Sequence, residues 1–318
     1  MRDNYSRDID YLRISITDRC NLRCRYCMPE EGIEKRGHEE ILSIEEILEI
    51  TEAAARSGIK KVRITGGEPL VRRGVLELCQ GISKLPGIDE LAVTTNGILL
   101  PEMAEDLKKA GVGRVNISID SLDPVKYAHI TRHGELSRVL EGIRAALDAG
   151  LRPVKLNVVL MGGFNDDEIE AFVDLTRQDA LEVRFIELMP IGEGVPFWEA
   201  SYLSNEAVPE RVPELVPEED VGRGVARLFR LPGAPGRVGL INPISSHFCE
   251  SCNRLRLTAD GKLKPCLHSD LEIKVRGLHG EELEQALREA ALAKPRRRTA
   301  LSGESPSPAG RRMNQIGG

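Results

Sequence analysis

The strongest constraint on this chain is an alternation of short apolar strands and amphipathic helices, repeated six times before residue 190. Residues 9–17 carry Ile9, Tyr11, Ile14 and Ile16 in near-alternation, the pattern of a half-buried strand. Ser43-Ile44-Glu45-Glu46 has the form of a capping box. Ile44, Ile47, Leu48, Ile50 and Ala54 then make a helical stripe that Gly58 can stop. Further strands are predicted over 60–65, 91–95, 114–120, 154–160 and 183–188, with helices over 74–85, 101–110, 137–149 and 166–177. Strands separated by helices imply a parallel sheet with crossover connections. A closed eight-unit barrel takes about 250 residues, and the pattern here breaks near residue 190. The expected fold is therefore α/β: an incomplete, TIM-like (β/α)6 barrel open on one side over 1–190, followed by a C-terminal region over 191–318.

The texture of that second region differs. Pro209, Pro213 and Pro217 recur every four residues and argue against a regular helix through 205–220. Strand-like segments follow at 226–231 and 237–241, then a strand–turn–strand over 255–263 around Asp260-Gly261, then an amphipathic helix over 281–293. Residues 294–310, rich in Pro, Ser and Arg, are expected to be mobile in isolation.

Forty-four basic and 50 acidic residues leave a formal charge of −6, so no global positive field points to nucleic acid. Any anion must be met by a local cluster of Arg and Lys. No apolar run approaches the roughly 20 residues needed to span a bilayer, and Met1-Arg2-Asp3-Asn4 lacks the apolar core of a signal peptide. A cytoplasmic location is expected, where the seven cysteines are not expected to form a disulfide framework.

The cysteines fall into two triads and a singleton, Cys79, which reads as a small buried apolar residue. Cys20, Cys24 and Cys27 are spaced C-x3-C-x2-C directly after the first strand. Three thiolates are one short of a closed structural zinc site or a fully cysteine-ligated cluster, and a metal with an open position can bind a small molecule. A zinc knuckle borrowing His38 is the structural alternative. Cys249, Cys252 and Cys266 form the second triad, which on its own also fits a zinc ribbon completed by His247 or His268. Against a closed zinc, Arg254 and Arg256 alternate right after Cys252 and would point the same way from a strand, as suits a phosphorylated ligand.

Polar groups gather where the strands end, the place where parallel barrels keep their chemistry. These are Cys20, Gly66-Gly67-Glu68-Pro69, Thr94-Thr95-Asn96-Gly97, Ser118-Ile119-Asp120, Asn157 and Glu187-Leu188-Met189-Pro190. Arg13, Arg63, Lys155, Arg184, Arg254 and Arg256 also lie on predicted strands or at their ends, where an unpaired cation is costly to bury. A polyanionic ligand would resolve that cost.

The cysteine spacing together with Gly66-Gly67-Glu68-Pro69 resembles the radical S-adenosylmethionine (SAM) superfamily. Cys249-Glu250-Ser251-Cys252-Asn253-Arg254-Leu255-Arg256-Leu257-Thr258, Gly261 and Cys266 narrow the resemblance to the GTP 3′,8-cyclase family of molybdenum-cofactor biosynthesis. So do residues 12–20, residues 63–70, Asn165-Asp166-Asp167-Glu168, Arg184-Phe185-Ile186-Glu187 and the terminal Gly317-Gly318. The resemblance implies two [4Fe-4S] clusters, one on each triad, so that the C-terminal region is an iron–sulfur-binding extension. The first would chelate SAM and release a 5′-deoxyadenosyl radical; the second would bind the guanine of GTP.

It further implies SAM contacts from Tyr26, Gly66, Gly67, Glu68, Ser118 and Met189. GTP contacts are implied from Arg13, Arg63, Thr94, Lys155, Arg184, Arg254, Leu255 and Arg256. Gly317 and Gly318 would insert into the active site, with Arg311 and Arg312 positioning them. The implied product is 3′,8-cyclo-7,8-dihydro-GTP, passed to a cyclic pyranopterin monophosphate synthase. A flavodoxin- or ferredoxin-like electron donor and a homodimer are expected, with no nucleic-acid or membrane partner. The alternatives are another radical SAM enzyme with one auxiliary cluster and a non-catalytic zinc or iron–sulfur protein.

Overall fold

The computed structural model describes residues 1–33, 37–218 and 224–317. Six strands, β1 (Tyr11–Ser15), β2 (Lys61–Thr65), β3 (Glu90–Thr95), β4 (Arg114–Ser118), β5 (Val154–Leu160) and β6 (Leu181–Glu187), pair in parallel in chain order. The helices that return the chain are α1 (Ile44–Arg56), α2 (Val75–Ser83), α3 (Leu100–Lys109), α4 (Pro124–Thr131), α5 (Leu136–Asp148) and α6 (Ile169–Gln178). The capping box at Ser43 is formed: Glu46 N donates to Ser43 Oγ at 3.1 Å, and Ser43 N donates to Glu46 Oε2 at 2.6 Å.

The sheet does not stop at six strands. The later elements are α7 (Gly194–Ser201), α8 (Ala207–Arg211), β7 (Val216–Pro217), β8 (Arg227–Arg230), β9 (Arg237–Ile241), β10 (Arg254–Leu257), β11 (Lys262–Lys264), β12 (Ile273–Lys274), α9 (Gly280–Leu292) and α10 (Met313–Ile316). Strand β9 adds in parallel to β6, and β10 adds in parallel to β1. Among the described residues one open sheet runs β12-β11-β10-β1-β2-β3-β4-β5-β6-β9-β8-β7. The residues after 190 thus extend both edges of the partial barrel, and the barrel interior is shared between the two regions.

Three local differences from expectation have simple causes. Helix α8 contains Pro209, but at its third residue, where a backbone N–H would have no helical acceptor anyway. Pro217 sits in β7, an edge strand, where a missing donor is tolerated. Helix α4 was not anticipated. It is short, and its only strong signal is Asp123-Pro124, with the Asp123 carboxylate accepting from Val125 N and Lys126 N at 2.8 and 2.9 Å.

The strands are amphipathic in an uncommon sense. Their outward residues pack against the helices: Leu12, Ile14, Val62, Ile64, Val93, Val115, Ile117, Leu156, Val158, Val183 and Phe185 belong to one buried cluster. Burying each such side chain contributes roughly 1.5–3 kcal/mol, enough to hold strand register. A shift by one residue would send the other set outward. That other set is polar: Tyr11 and Arg13, Lys61 and Arg63, Arg114 and Asn116, Lys155 and Asn157, and Arg254 and Arg256 all line one interior cavity.

Candidate active site

The two triads lie at opposite ends of the barrel strands. Cys20, Cys24 and Cys27 sit on the loop that leaves the carboxyl end of β1, all three half-buried and unpaired. Burial pushes the Cys20 thiol up to about 11 and the Cys27 thiol up to about 12. Without a cation, then, the triad is neutral at pH 7. Leu22 N donates to Cys20 Sγ at 3.3 Å, and Asn96 Nδ2 lies 3.9 Å from the same sulfur. Hydrogen bonds to a ligand sulfur are one of the means by which proteins tune iron–sulfur centres.

Glycine is required in the next turn by close approach of backbone. A Cβ on Gly66 would lie 2.4 Å from Thr17 O, and one on Gly67 would lie 2.4 Å from Arg19 O. Gly67 N and Glu68 N donate to those same carbonyls, at 2.7 and 2.8 Å. The Gly-Gly turn therefore braces the segment that delivers Cys20. Glu68 is fully buried, and its carboxylate accepts from Leu70 N, Thr95 Oγ1 and Asn96 N at 3.0, 2.8 and 2.7 Å. Burial still pushes it up to about 7. It locks the ends of β2 and β3 together.

Tyr26 donates to Asp120 Oδ2 at 2.7 Å, and Val159 N donates to Asp120 Oδ1 at 2.9 Å. Burial raises Asp120 to about 6. Ser118 ends β4, and Met189 lines the cavity below. Asp120 was read only as part of a strand end; its bond to Tyr26 depends on β4 packing over the cysteine loop, which no local pattern encodes.

At the amino ends of the strands lies a cavity of about 370 Å³, lined among the described residues by nine cationic side chains and one carboxylate, Glu90. It brings together Arg13, Arg63, Lys155, Arg184, Arg254 and Arg256, as expected, and adds Lys61, Arg114 and Arg298. Leu255 points the other way, into the core, because β10 alternates. Thr94 is in the band above, with its hydroxyl buried and without a hydrogen-bond partner among the described residues. The Asn116 amide nitrogen and the Asn157 carbonyl oxygen are likewise buried and unpartnered.

Register explains the crowding of charge. Arg13 lies between Arg256 on β10 and Arg63 on β2. Some cations are matched: Lys155 Nζ donates to Glu182 at 2.8 Å, Arg184 pairs with the same carboxylate, and Arg114 pairs with Glu90. Arg63 instead stacks over the Tyr11 ring at 5.3 Å, and Arg254 over Phe248 at 4.9 Å. Burial lowers Arg63 and Arg256 to about 10, with Arg254 adding repulsion at both, and burial followed by Arg184 lowers Lys155 to about 8. Guanidinium groups stay charged at pH 7 regardless, so the cavity holds desolvated, mutually repelling cations that an anion would offset.

The second triad forms one wall of that cavity. Cys252 is half-buried; desolvation alone would raise its thiol, but Arg254 and Lys294 outweigh it and bring the thiol down to about 6. No group of three or more His, Cys, Asp and Glu among the described residues is drawn close enough to hold a single metal ion. His268, one candidate fourth ligand for a zinc ribbon, bonds Ser307 Oγ at 3.1 Å. Three cysteine donors, with Leu22 N and Asn96 Nδ2 beside the Cys20 sulfur, suit a sulfur-ligated cluster at the first triad, and Lys294 Nζ lies 3.7 Å from Cys252 Sγ at the second.

The carboxyl-terminal tail enters between the two ends. Arg311 donates to both Asp260 oxygens at 3.0 and 2.9 Å and to Glu272, and Arg312 pairs with Glu193 at 3.1 Å. Asn314 Nδ2 then reaches Asp18 O at 3.1 Å, and Arg256 donates to the carbonyls of Ile316 and Gly317. The two arginines anchor the tail from outside the cavity. Gly318 lies outside the described residues. Residues 294–310, expected to be mobile in isolation, instead strap across the site: Arg298 donates to Pro243 O, and Ser307 N donates to Pro190 O at 2.9 Å.

Residues 14–176 match the Radical SAM superfamily, and residues 181–300 match the family model described as Molybdenum Cofactor Synthesis C. GTP 3′,8-cyclase of Alkaliphilus oremlandii is 57% identical over 321 residues, covering 100% of both chains. The enzymes of the same name from Peptoclostridium acidaminophilum and Pelotomaculum thermopropionicum are 53% and 50% identical, over 99% and 100% of this chain and 98% and 100% of theirs. The chain belongs to the GTP 3′,8-cyclase family. Family membership brings radical SAM chemistry, with a [4Fe-4S] cluster and SAM. Among solved structures, Streptococcus suis SuiB bound to SAM shares the fold, with a TM-score of 0.64 at 17% identity over 91% of this chain and 66% of that one. No helix among the described residues is long and apolar enough to cross a membrane.

Proposed function

We propose that this chain carries out its family's reaction on GTP, joining ribose C3′ to guanine C8, with SAM and the first cluster above and a second [4Fe-4S] cluster below. The observation that carries this reading is the cavity's charge: among the described residues nine cations line it beside the second triad, and Glu90 and Glu182 pair with only three of them, in a protein of net charge −6. A triphosphate supplies the missing counter-charge.

Cys20, Cys24 and Cys27 would hold the first cluster, and Cys249, Cys252 and Cys266 the second. When bound, the first cluster and SAM supply hydrogen-atom abstraction from the ribose. Tyr26, Gly66, Gly67, Glu68, Ser118 and Met189 shape the SAM end, with Glu68 bracing the turn. Arg13, Arg63, Lys155, Arg184, Arg254 and Arg256 hold the triphosphate, while Thr94, on the band above, faces the ribose. Leu255 acts only by packing β10 against the core. Arg311 and Arg312 anchor the tail, and Gly317 and Gly318 close the site so that the substrate radical is kept from water. Electrons come from a flavodoxin- or ferredoxin-like donor, and the product passes to a cyclic pyranopterin monophosphate synthase. The protein works as a cytoplasmic homodimer.

The test is an anaerobic assay of reconstituted protein with SAM, GTP and a strong reductant. The expected products are 5′-deoxyadenosine and 3′,8-cyclo-7,8-dihydro-GTP. Deoxyadenosine that forms equally with and without GTP, and no cyclised nucleotide, would overturn the proposal.

A further inference from the structure

The second triad is assembled from two separate pieces of chain: the turn over Cys249–Ser251 that Cys252 closes just before β10, and the residues after β11 at Cys266. Two buried cations outside the cavity's own set hold these pieces. Lys294, 3% exposed, donates from Nζ to Arg254 O at 2.7 Å and to Pro265 O at 2.8 Å, and lies 3.7 Å from Cys252 Sγ. No carboxylate is among its partners in the described residues, so a buried ammonium faces two carbonyls and a cysteine sulfur.

Arg7 donates to Cys249 O at 2.6 Å and to Pro295 O at 2.9 Å, the residue next to Lys294. It is itself fixed by Asp3, whose carboxylate takes Arg7 Nε at 2.5 Å and the backbone N–H groups of Tyr5 and Arg7 at 2.9 Å each. The Asp3–Arg7 pair is internally neutral. Lys294 is not, and an uncompensated buried ammonium is stable only beside negative charge. Thiolates ligating a metal provide that charge.

We propose that Lys294, kept in place by the Asp3–Arg7 pair, is a positioning residue for the second triad: it ties the Cys252 and Cys266 segments together and is the counter-charge for their thiolates. The inference rests on the reading that this triad holds an iron–sulfur cluster. Ordering of ligands by surrounding groups governs metal affinity, commonly by 10–100-fold, and positive charge near the sulfurs favours the reduced cluster.

The experiment uses the full-length chain with Cys20, Cys24 and Cys27 each changed to Ala, so that iron reports the second triad alone. After anaerobic reconstitution, iron and acid-labile sulfide per chain are measured, and the reduction potential is followed by EPR. The parent is expected to load a cluster. Lys294→Met is expected to lose at least half of the iron or to titrate at a more negative potential, and Lys294→Arg to recover both. Lys294→Met matching the parent in iron, sulfide and potential overturns the proposal. A parent that takes up no iron or sulfide instead overturns the second cluster itself. If circular dichroism shows that Lys294→Met is unfolded, Arg7→Met carries the same comparison, with loss of iron supporting the clasp and unchanged loading refuting it.

Discussion

Gly317→Ala tests whether the tail must dock as the structure has it. Gly317 has φ +67°, a left-handed conformation that costs a residue with a Cβ about 1–2 kcal/mol. Its added methyl would also lie 2.4 Å from Thr65 Cγ2, far inside contact distance, and Thr65 is 2% exposed on β2 with little room to yield. Overpacking of this kind costs about 1–3 kcal/mol. Together the docked tail loses roughly 2–5 kcal/mol, which at 1.36 kcal/mol per decade is at least about a 30-fold fall in kcat/KM for GTP. Global stability should hardly change, because the tail is terminal and the core does not depend on it. The assay pairs steady-state kinetics with hydrogen exchange over residues 311–317, which should lose protection in the variant. Thr65→Ser removes the clashing methyl, so adding it to Gly317→Ala should restore part of the loss, leaving about the 5- to 30-fold expected of backbone strain alone. A Gly317→Ala enzyme within twofold of wild type in kcat/KM, with unchanged protection, would refute the docked geometry.

Other expectations follow from single contacts. Lys155 is lowered to about 8, so the free enzyme carries its charge below that pH and loses it above; GTP affinity should fall as pH rises through 8, and Lys155→Arg should abolish that fall in equilibrium binding. The same depression makes Lys155 a group that the unfolded chain protonates more readily between about 8 and 10.4, so its contribution to stability rises with pH across that window. Arg311→Met leaves Asp260 and Glu272 half-buried without their main partner; it should free the tail to exchange and proteolysis while moving the main melting transition by little. Tyr26→Phe strips a 2.7 Å hydrogen bond from buried Asp120, costing about 1–3 kcal/mol in urea unfolding, with a raised KM for SAM and an unchanged KM for GTP.

Much of this was legible before any coordinates. The alternation of Leu12 and Ile14 with Tyr11 and Arg13 contains both faces of β1, and the same parity recurs in Lys61/Arg63, Lys155/Asn157 and Arg254/Arg256. Period two in a strand states which residues share a face, so six of the cavity's cations could be grouped from sequence alone. Arg114 escaped because it opens β4 without a motif, although Asn116 two residues on carries the same parity signal. The joining of β9 and β10 to opposite edges was not legible, since strand pairing over such distances is decided by tertiary packing. Lys294 is the instructive case. It begins a run that reads as a charged, solvated tail, and only the packing of α9 against α1, β11 and β12 shows that the first charge of that run is buried.

The central claim is that the cavity presents the ribose of GTP to the SAM end of the barrel. It is tested most directly with GTP carrying deuterium at the ribose 3′ position, under anaerobic turnover with SAM and a reductant, and mass analysis of the 5′-deoxyadenosine formed. The account predicts that each deoxyadenosine gains one deuterium. Deoxyadenosine that stays unlabelled while GTP is consumed would contradict it.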